Sequence, residues 1–433
     1  MKRFIALALA LVMLAFAICS CGNVNSESTS GTTASSSGGE ASQHQPRGDL
    51  LTDYTAQIVS GTETDEKFIS AMLDFSAELM KNTVSDKKDN SLISPLSVMI
   101  ALAMTSNGAE NETKAQFEKV FGVTVDEINK YLYYYVNSLS QDEDAKVKIA
   151  NSIWFSTDGG IDFSKDFLQK NKDYYDPQMY EKDFSDGKTV DEINDWVKKY
   201  TDDMIEKIID ELSPDTVAVL MNALALDAKW SKQYEDYQCR TEDFHSYGGE
   251  TEQVKMMRSD EEVYLSGKDF TGFEKRYVSG YKFVALLPSE DVDVFDFVNS
   301  LSGERLADIF ASKEYGVVHA TVPEFEYDFD VDLEEPLSNM GLTDAFDAMK
   351  ADFSGMGDGG EELYIGQALH KTHIEVTQAG TRAAAVTYIA MDEKSVIIAD
   401  PKTVTLDRPF VYLIVDGQSN IPLFAGIVTS VGK

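Results

Sequence analysis

Apolar residues recur at helical spacing early in the chain. Phe68, Met72, Phe75 and Leu79 fall on one face, with Asp65 and Glu66 at the end where the helix dipole favours acids. Ser94-Pro95 reads as an N-cap followed by proline at the first helical position, and Gly108 ends that helix. Thr189 with Glu192 forms a capping-box pattern ahead of an apolar face made by Val190, Ile193, Val197, Tyr200, Met204 and Ile208. Later the period changes. Val217–Trp230, Tyr281–Pro288, His370–Val376, Val404–Val415 and Pro422–Val431 read as strands, and Asp416–Asn420 as a hairpin turn between the last two. Helices first and strands later predict an α+β domain and not alternating βαβ units. From Thr64 onward the patterning is continuous, without repeats or a second linker, so residues 64–433 are expected to form one large domain.

One segment fits neither pattern. Gly380–Met391 stands between two predicted strands, where a long connection is uncommon and usually functional. Its odd-numbered residues, Thr381, Ala383, Ala385, Thr387, Ile389 and Met391, are small or apolar. The even-numbered ones include Arg382, Tyr388 and Asp392. This is the alternation of a half-buried strand in the position of a loop. A sequence suited to both states predicts a switch. A β-hairpin with a long Ala-rich tip is the plainer alternative.

The surroundings favour the switch. His370–Val376 followed by Gly380–Thr387 resembles the hinge of the serpin family. Arg408–Ile414 and Pro422–Gly426 resemble its closing strands. Asn90–Ser97 with Gly108-Ala109, Ile193–Val197, Leu220–Ala223 with Trp230, and Ala351–Gly355 are similar to further family landmarks, in the family's order. The resemblance implies a serpin fold of three β-sheets and about nine helices with an exposed reactive-centre loop. It implies a suicide substrate of serine proteases and not an enzyme. The family's spacing puts the cleaved bond fourteen residues after the hinge glycine, at Lys394–Ser395, which suits a trypsin-like protease. Cleavage after Ile389, Ala390 or Met391 would instead suit elastase- or chymotrypsin-like enzymes. The resemblance is also compatible with cysteine-protease targets and with a non-inhibitory binding protein of the same fold. The inserting hinge would be Gly380, Thr381, Arg382, Ala383, Ala384 and Ala385. Ser94, Ser97, Asn222 and His370 are polar groups in apolar runs, costly unless hydrogen-bonded. By resemblance they form the shutter, a buried network under the main sheet, and Trp230 marks the breach where insertion begins. Two departures stand out: Gln378-Ala379 replaces the usual Glu-Glu, and Arg382 a customary glutamate.

The N-terminus adds an address. Lys2 and Arg3 precede Phe4–Cys19, an apolar run short for a bilayer span, so residues 1–20 read as a signal peptide. Ile18-Cys-Ser-Cys21 resembles a bacterial lipobox, making Cys21 the expected lipidated residue and the membrane a partner through that lipid alone. Ordinary secretory cleavage is the alternative. Residues 21–63 begin with a Ser/Gly-rich stretch and read as a tether, whose Gly22–Gly48 part spans roughly 30 Å. The expected location is the bacterial cell surface.

Charge and cysteines narrow the picture further. The net charge is −36, and loss of residues 1–20, with two basic residues and no acid, makes it −38. So acidic a chain is unsuited to nucleic acid or anionic membranes. Of three cysteines, Cys19 leaves with the signal and Cys21 would carry lipid, so Cys239 has no disulfide partner. Nucleophile, zinc-protease, phosphate-loop and dinucleotide motifs are missing. His370 and His373, three apart on a strand, point to opposite faces and share no metal. No metal or cofactor is expected, and the domain is expected to be a monomer.

Overall fold

The computed structural model describes residues 48–84, 88–139, 145–213, 216–381 and 400–432. Among them lie nine α-helices and three sheets in an α+β arrangement. Residues 1–47, including Cys21, and residues 382–399, with Arg382, Ala383, Ala384, Ala385, Lys394 and Ser395, lie outside the described residues.

The main sheet has seven strands in the order Gly48–Asp49, Gln178–Lys182, Ala145–Ser156, Ala218–Lys229, Gly380–Thr381, Gln367–Val376, Phe325–Asp332. Its two faces are covered differently. The helix Pro95–Ser106 is apolar all round and every residue of it is buried, as a helix inside a core requires. It lies under the sheet with the larger core. The helix Lys188–Tyr200 covers the other face, packing Ile193, Trp196 and Val197 on Ala150, Trp154, Val219 and Met221. A nine-stranded sheet holds Lys282–Pro288, Phe410–Val415 and Pro422–Val428 at its buried centre, all without an exposed residue. The third sheet pairs Gly357–Asp358 with Asp162–Phe163.

Most predicted elements form. The first helix runs Glu66–Asn82, with Asp65 capping it through the Phe68 N–H. Ser94 caps Pro95–Ser106. The turn at Asp416–Asn420 closes with Asp416 N–H donating to Ile421 O at 3.0 Å.

Four expectations are corrected. The helix near Thr189 starts at Lys188, and the Thr189 hydroxyl donates to Asp183 O at 2.7 Å, so there is no capping box; Glu192 pairs with Lys182 at 2.6 Å. That helix ends at Tyr200, and left-handed Asp202 and Asp203 follow, so Met204 and Ile208 lie beyond it. Val404–Val415 is two strands, Lys402–Thr405 and Phe410–Val415, because Pro409 between them has no N–H for a ladder. Gly48–Glu63, read as the end of the tether, lies on the domain. Gly48–Asp49 pairs with Gln178–Lys182, Leu50 and Leu51 are buried, and the Gln57 N–H donates to Asp173 at 2.8 Å. The two leucines are an apolar pair that a solvated tether would leave in water.

Candidate functional site: the seam and its hinge

The strands Ala218–Lys229 and Gln367–Val376 are the two sides of a seam. They pair directly and in parallel from Val219 and Gln367 up to Leu224 and Thr372. Above that point they no longer pair with each other. The chain leaving Val376 turns back at Thr377–Gly380, held by Thr377 N–H donating to Gly380 O at 2.9 Å. Gly380–Thr381 then enters the opening as a short strand, antiparallel to both sides. Gly380 registers with Lys229, and Thr381 with Ala228 on one side and Val376 on the other.

The residue types explain this entry. A Cβ at Gly380 would lie 2.1 Å from Ala228 O, so only glycine approaches that closely. Thr381 is 3% exposed, and its hydroxyl shares a hydrogen bond of 2.6 Å with the Tyr277 hydroxyl. Tyr277 in turn stacks on Trp230, with ring centroids 4.2 Å apart and planes 14° from parallel. Trp230 is buried and straps the turn. Its backbone N–H donates to Ala379 O at 3.0 Å and its indole N–H to Thr377 O at 2.9 Å. The Lys275 ammonium, buried and paired with Glu261 at 2.8 Å, lies 5.3 Å from the Trp230 ring centroid. Gln378, at the departure from the family pattern, donates from its amide to Asp236 at 3.3 Å.

Lower on the seam the structure brings together Ser94, Ser97, Asn222 and His370. His370 registers opposite Asn222 across the seam. The Ser94 N–H donates to His370 Nε2 at 3.0 Å, so the ring proton is on Nδ1, which donates to Asn222 Oδ1 at 2.5 Å. Asn222 Nδ2 donates to Asn151 Oδ1 at 2.8 Å, and the Ser97 hydroxyl donates to the same oxygen at 3.2 Å. Ser94 Oγ accepts from the Ser97 N–H at 3.3 Å. The network thus ties the buried helix to both sides of the seam, with the His370–Asn222 bond as its only crossing among these residues. Burial pushes the His370 pKa down to about 3, so the ring is neutral at ordinary pH. His373 faces the opposite way and meets Asp328 at 2.7 Å.

Two participants escape the sequence reading. Asn151 is marked only by Asn-Ser standing inside the apolar run Ile149–Phe155, the same signal that singles out Asn222. Tyr277 carries no signal at all, because its role depends on a contact more than a hundred residues away. Cys239 is a half-buried free thiol whose sulfur lies 3.7 Å from Glu235 O. Among the described residues no cluster of three or more potential metal ligands occurs.

The His370 environment has a measurable consequence. The ring titrates near 6.5 when solvated and about 3 when folded. Between those values the unfolded chain binds a proton that the folded chain excludes. The stability held by the neutral ring is therefore complete above about pH 6.5 and is lost as pH falls toward 3. Lowering pH from about 7.5 to about 5.5 should cost about 1 kcal/mol through this residue. His370→Gln removes the titration, so its thermal midpoint should fall less than the wild type's over the same interval. Contributions from titrating groups that both proteins share cancel in that difference. Equal falls would assign the pH dependence elsewhere.

Comparison with known proteins agrees with this geometry. A family model described as "Serpin (serine protease inhibitor)" matches residues 70–431. An uncharacterised serpin-like protein of Thermococcus kodakarensis is 28% identical, covering 84% of this chain and 85% of its own. The crystal structure of the thermophilic serpin tengpin in its native state superposes with a TM-score of 0.83 at 42% identity, covering 89% of this chain and 100% of tengpin. Its latent-state structure gives 0.75 at 40% identity, covering 86% and 100%. The match spans nearly all of the described domain, in sequence and in fold, and the chain belongs to the serpin family.

Proposed function

We propose that this protein inhibits serine proteases as a suicide substrate. The observation that carries the reading is the hinge, which enters the seam at Thr381 while the seam below stays closed. A protease attacks the loop and forms an acyl-enzyme. The freed N-terminal part of the loop then continues the path that Gly380–Thr381 begins, as a new central strand. The seam parts, the His370–Asn222 bond breaks, and the attached protease is carried along the sheet and distorted. A dozen added residues contribute roughly 10 kcal/mol at about 1 kcal/mol net per hydrogen bond. Burial of Ile389 and Met391 adds to this. Gln378-Ala379 does not oppose the reading, since the turn they occupy is held by Trp230 and Asp236.

The reactive bond in this reading is Lys394–Ser395, and the target is trypsin-like. The anchor is a lipid on Cys21, which places the inhibitor at the cell surface. The stretch before Gly48, rich in Ser, Gly and Thr, supports that reading as a tether, since the domain begins pairing at Gly48.

Incubation with trypsin, elastase and subtilisin followed by denaturing electrophoresis should give a covalent complex with trypsin. Thr381→Arg should be cut without forming it, because a guanidinium would have to enter the buried site beside Tyr277 at a cost of several kcal/mol. Complex formation equal to wild type would mean Thr381 plays no part in insertion. Cleavage of the wild type without any complex would favour a non-inhibitory serpin.

The fragment released from the trypsin complex should begin at Ser395, and Lys394→Ala should weaken trypsin inhibition far more than elastase inhibition. A start at Ala390, Met391 or Asp392 would move the bond upstream and shorten the inserted strand.

Labelled palmitate should enter the exported protein and be absent from Cys21→Ala. A soluble, unlabelled mature form would remove the anchor from the reading.

A further inference from the structure

The edge strand of the nine-stranded sheet, Lys402–Thr405, pairs with Glu314–Pro323, which pairs in turn with Thr251–Ser266. Their registers place two polar rows on one face. Thr403, His319 and Asp260 form the first row, and Thr405, Thr321 and Arg258 the second. Three strands at the usual spacing make each row about 10 Å long. All six residues line a groove of about 690 Å³, a volume that suits a ligand of small-molecule size. Tyr237 stands at the side of this groove and is 80% exposed. Its ring is open, but its backbone is fastened. It belongs to the turn Asp236–Gln238, in which Gln238 Oε1 accepts from the Glu235 N–H at 2.8 Å and Gln238 Nε2 donates to Arg258 O at 2.9 Å. Tyr237 is thus an aromatic face set in advance beside a polar floor.

The charges of the floor are matched within it or beside it. His319 Nδ1 meets Asp260 at 2.7 Å, and Arg258 pairs with Glu242. Lys232 adds one cation to the lining, on a chain whose net charge of −36 repels anionic ligands. An apolar ligand would strip water from the threonine hydroxyls and the paired charges without replacing their hydrogen bonds. The chemistry that fits is uncharged, rich in hydroxyls that both donate and accept, and apolar on one flat face for the tyrosine ring. A short neutral oligosaccharide has these properties together.

We propose that this groove binds a short neutral oligosaccharide, with one sugar ring stacked on Tyr237 and the hydroxyls of the next bonded to Thr403, Thr405 and the exposed edge of His319. The site is independent of the inhibitory reading, because it requires only the folded domain. It gives that domain a means of attachment to glycans that needs no cleavage.

Cellotriose, maltotriose and triacetylchitotriose are the probes, all uncharged and differing in linkage and substituents. By calorimetry at least one should bind the full chain saturably at about millimolar concentration, with an affinity that is the same in low and high salt. Tyr237→Ala should weaken that binding about tenfold, and Thr403→Val about fivefold. Both side chains are exposed, so both variants should keep the wild-type thermal midpoint. The proposal is overturned if none of the three sugars binds, as when another part of the chain covers the groove. It is overturned equally if either substitution leaves the affinity unchanged, or if binding falls steeply with salt. Covalent complex formation with trypsin is the control: a variant slowed there with its sugar binding intact would assign the groove to protease docking and overturn the proposal as well.

Discussion

The hydrogen bond between His370 and Asn222 is the interaction on which the arrangement turns, because it crosses the seam between Ala218–Lys229 and Gln367–Val376, where the proposed insertion would part the main sheet. Backbone pairing along the seam is limited to the stretch from Val219 to Leu224, and the side-chain bond sits within it. A neutral hydrogen bond contributes only about 1 kcal/mol net, yet a buried partner left without one costs about 1–3 kcal/mol. The seam is thus held weakly in the sense of total energy and firmly in the sense of what each broken bond exposes. Opening is costly unless something arrives to satisfy the groups left behind, and in the proposed insertion the backbone of an incoming strand would supply partners to the parted strands. The neutral state of His370 belongs to the same logic: a charged ring could not accept from the Ser94 N–H, so burial and hydrogen bonding select one tautomer together.

The upper end of the sheet is built on a different principle. There the contacts are aromatic and main-chain: Tyr277 against Trp230, Trp230 to the carbonyls of Thr377 and Ala379, and Tyr277 to Thr381. The sheet thus has an entrance held by ring stacking and bonds to main-chain carbonyls and a middle held by hydrogen bonds between side chains. Glycine at 380 fits this entrance for steric reasons alone, and threonine at 381 gives a side chain small enough to enter and polar enough to meet Tyr277.

Much of this was legible in the chain because it rests on local signals. The caps at Asp65 and Ser94 and the polar residues inside apolar runs are all written within a few positions. What stayed hidden depends on pairing between distant segments. Thr189 has the spacing of a capping box, but Asp183 offers its hydroxyl a nearer acceptor once the turn before the helix has formed. Leu50 and Leu51 look isolated in a polar stretch until the strand Gln178–Lys182 provides an edge for Gly48–Asp49. Asn151 and Tyr277 belong to the site only through contacts with residues on other strands. Sequence patterning reveals which residues must be buried more readily than it reveals which of them will meet.

The short strand Gly380–Thr381 has a kinetic meaning beyond its geometry. Adding a strand to a closed sheet normally begins with a nucleus, in which chain entropy is lost before many bonds are gained. Here the first two residues are already registered between their neighbours. In the proposed insertion, strand growth would therefore start from the propagation stage, as in a zip whose slider is already threaded, each further residue losing its freedom and gaining its partners in the same step.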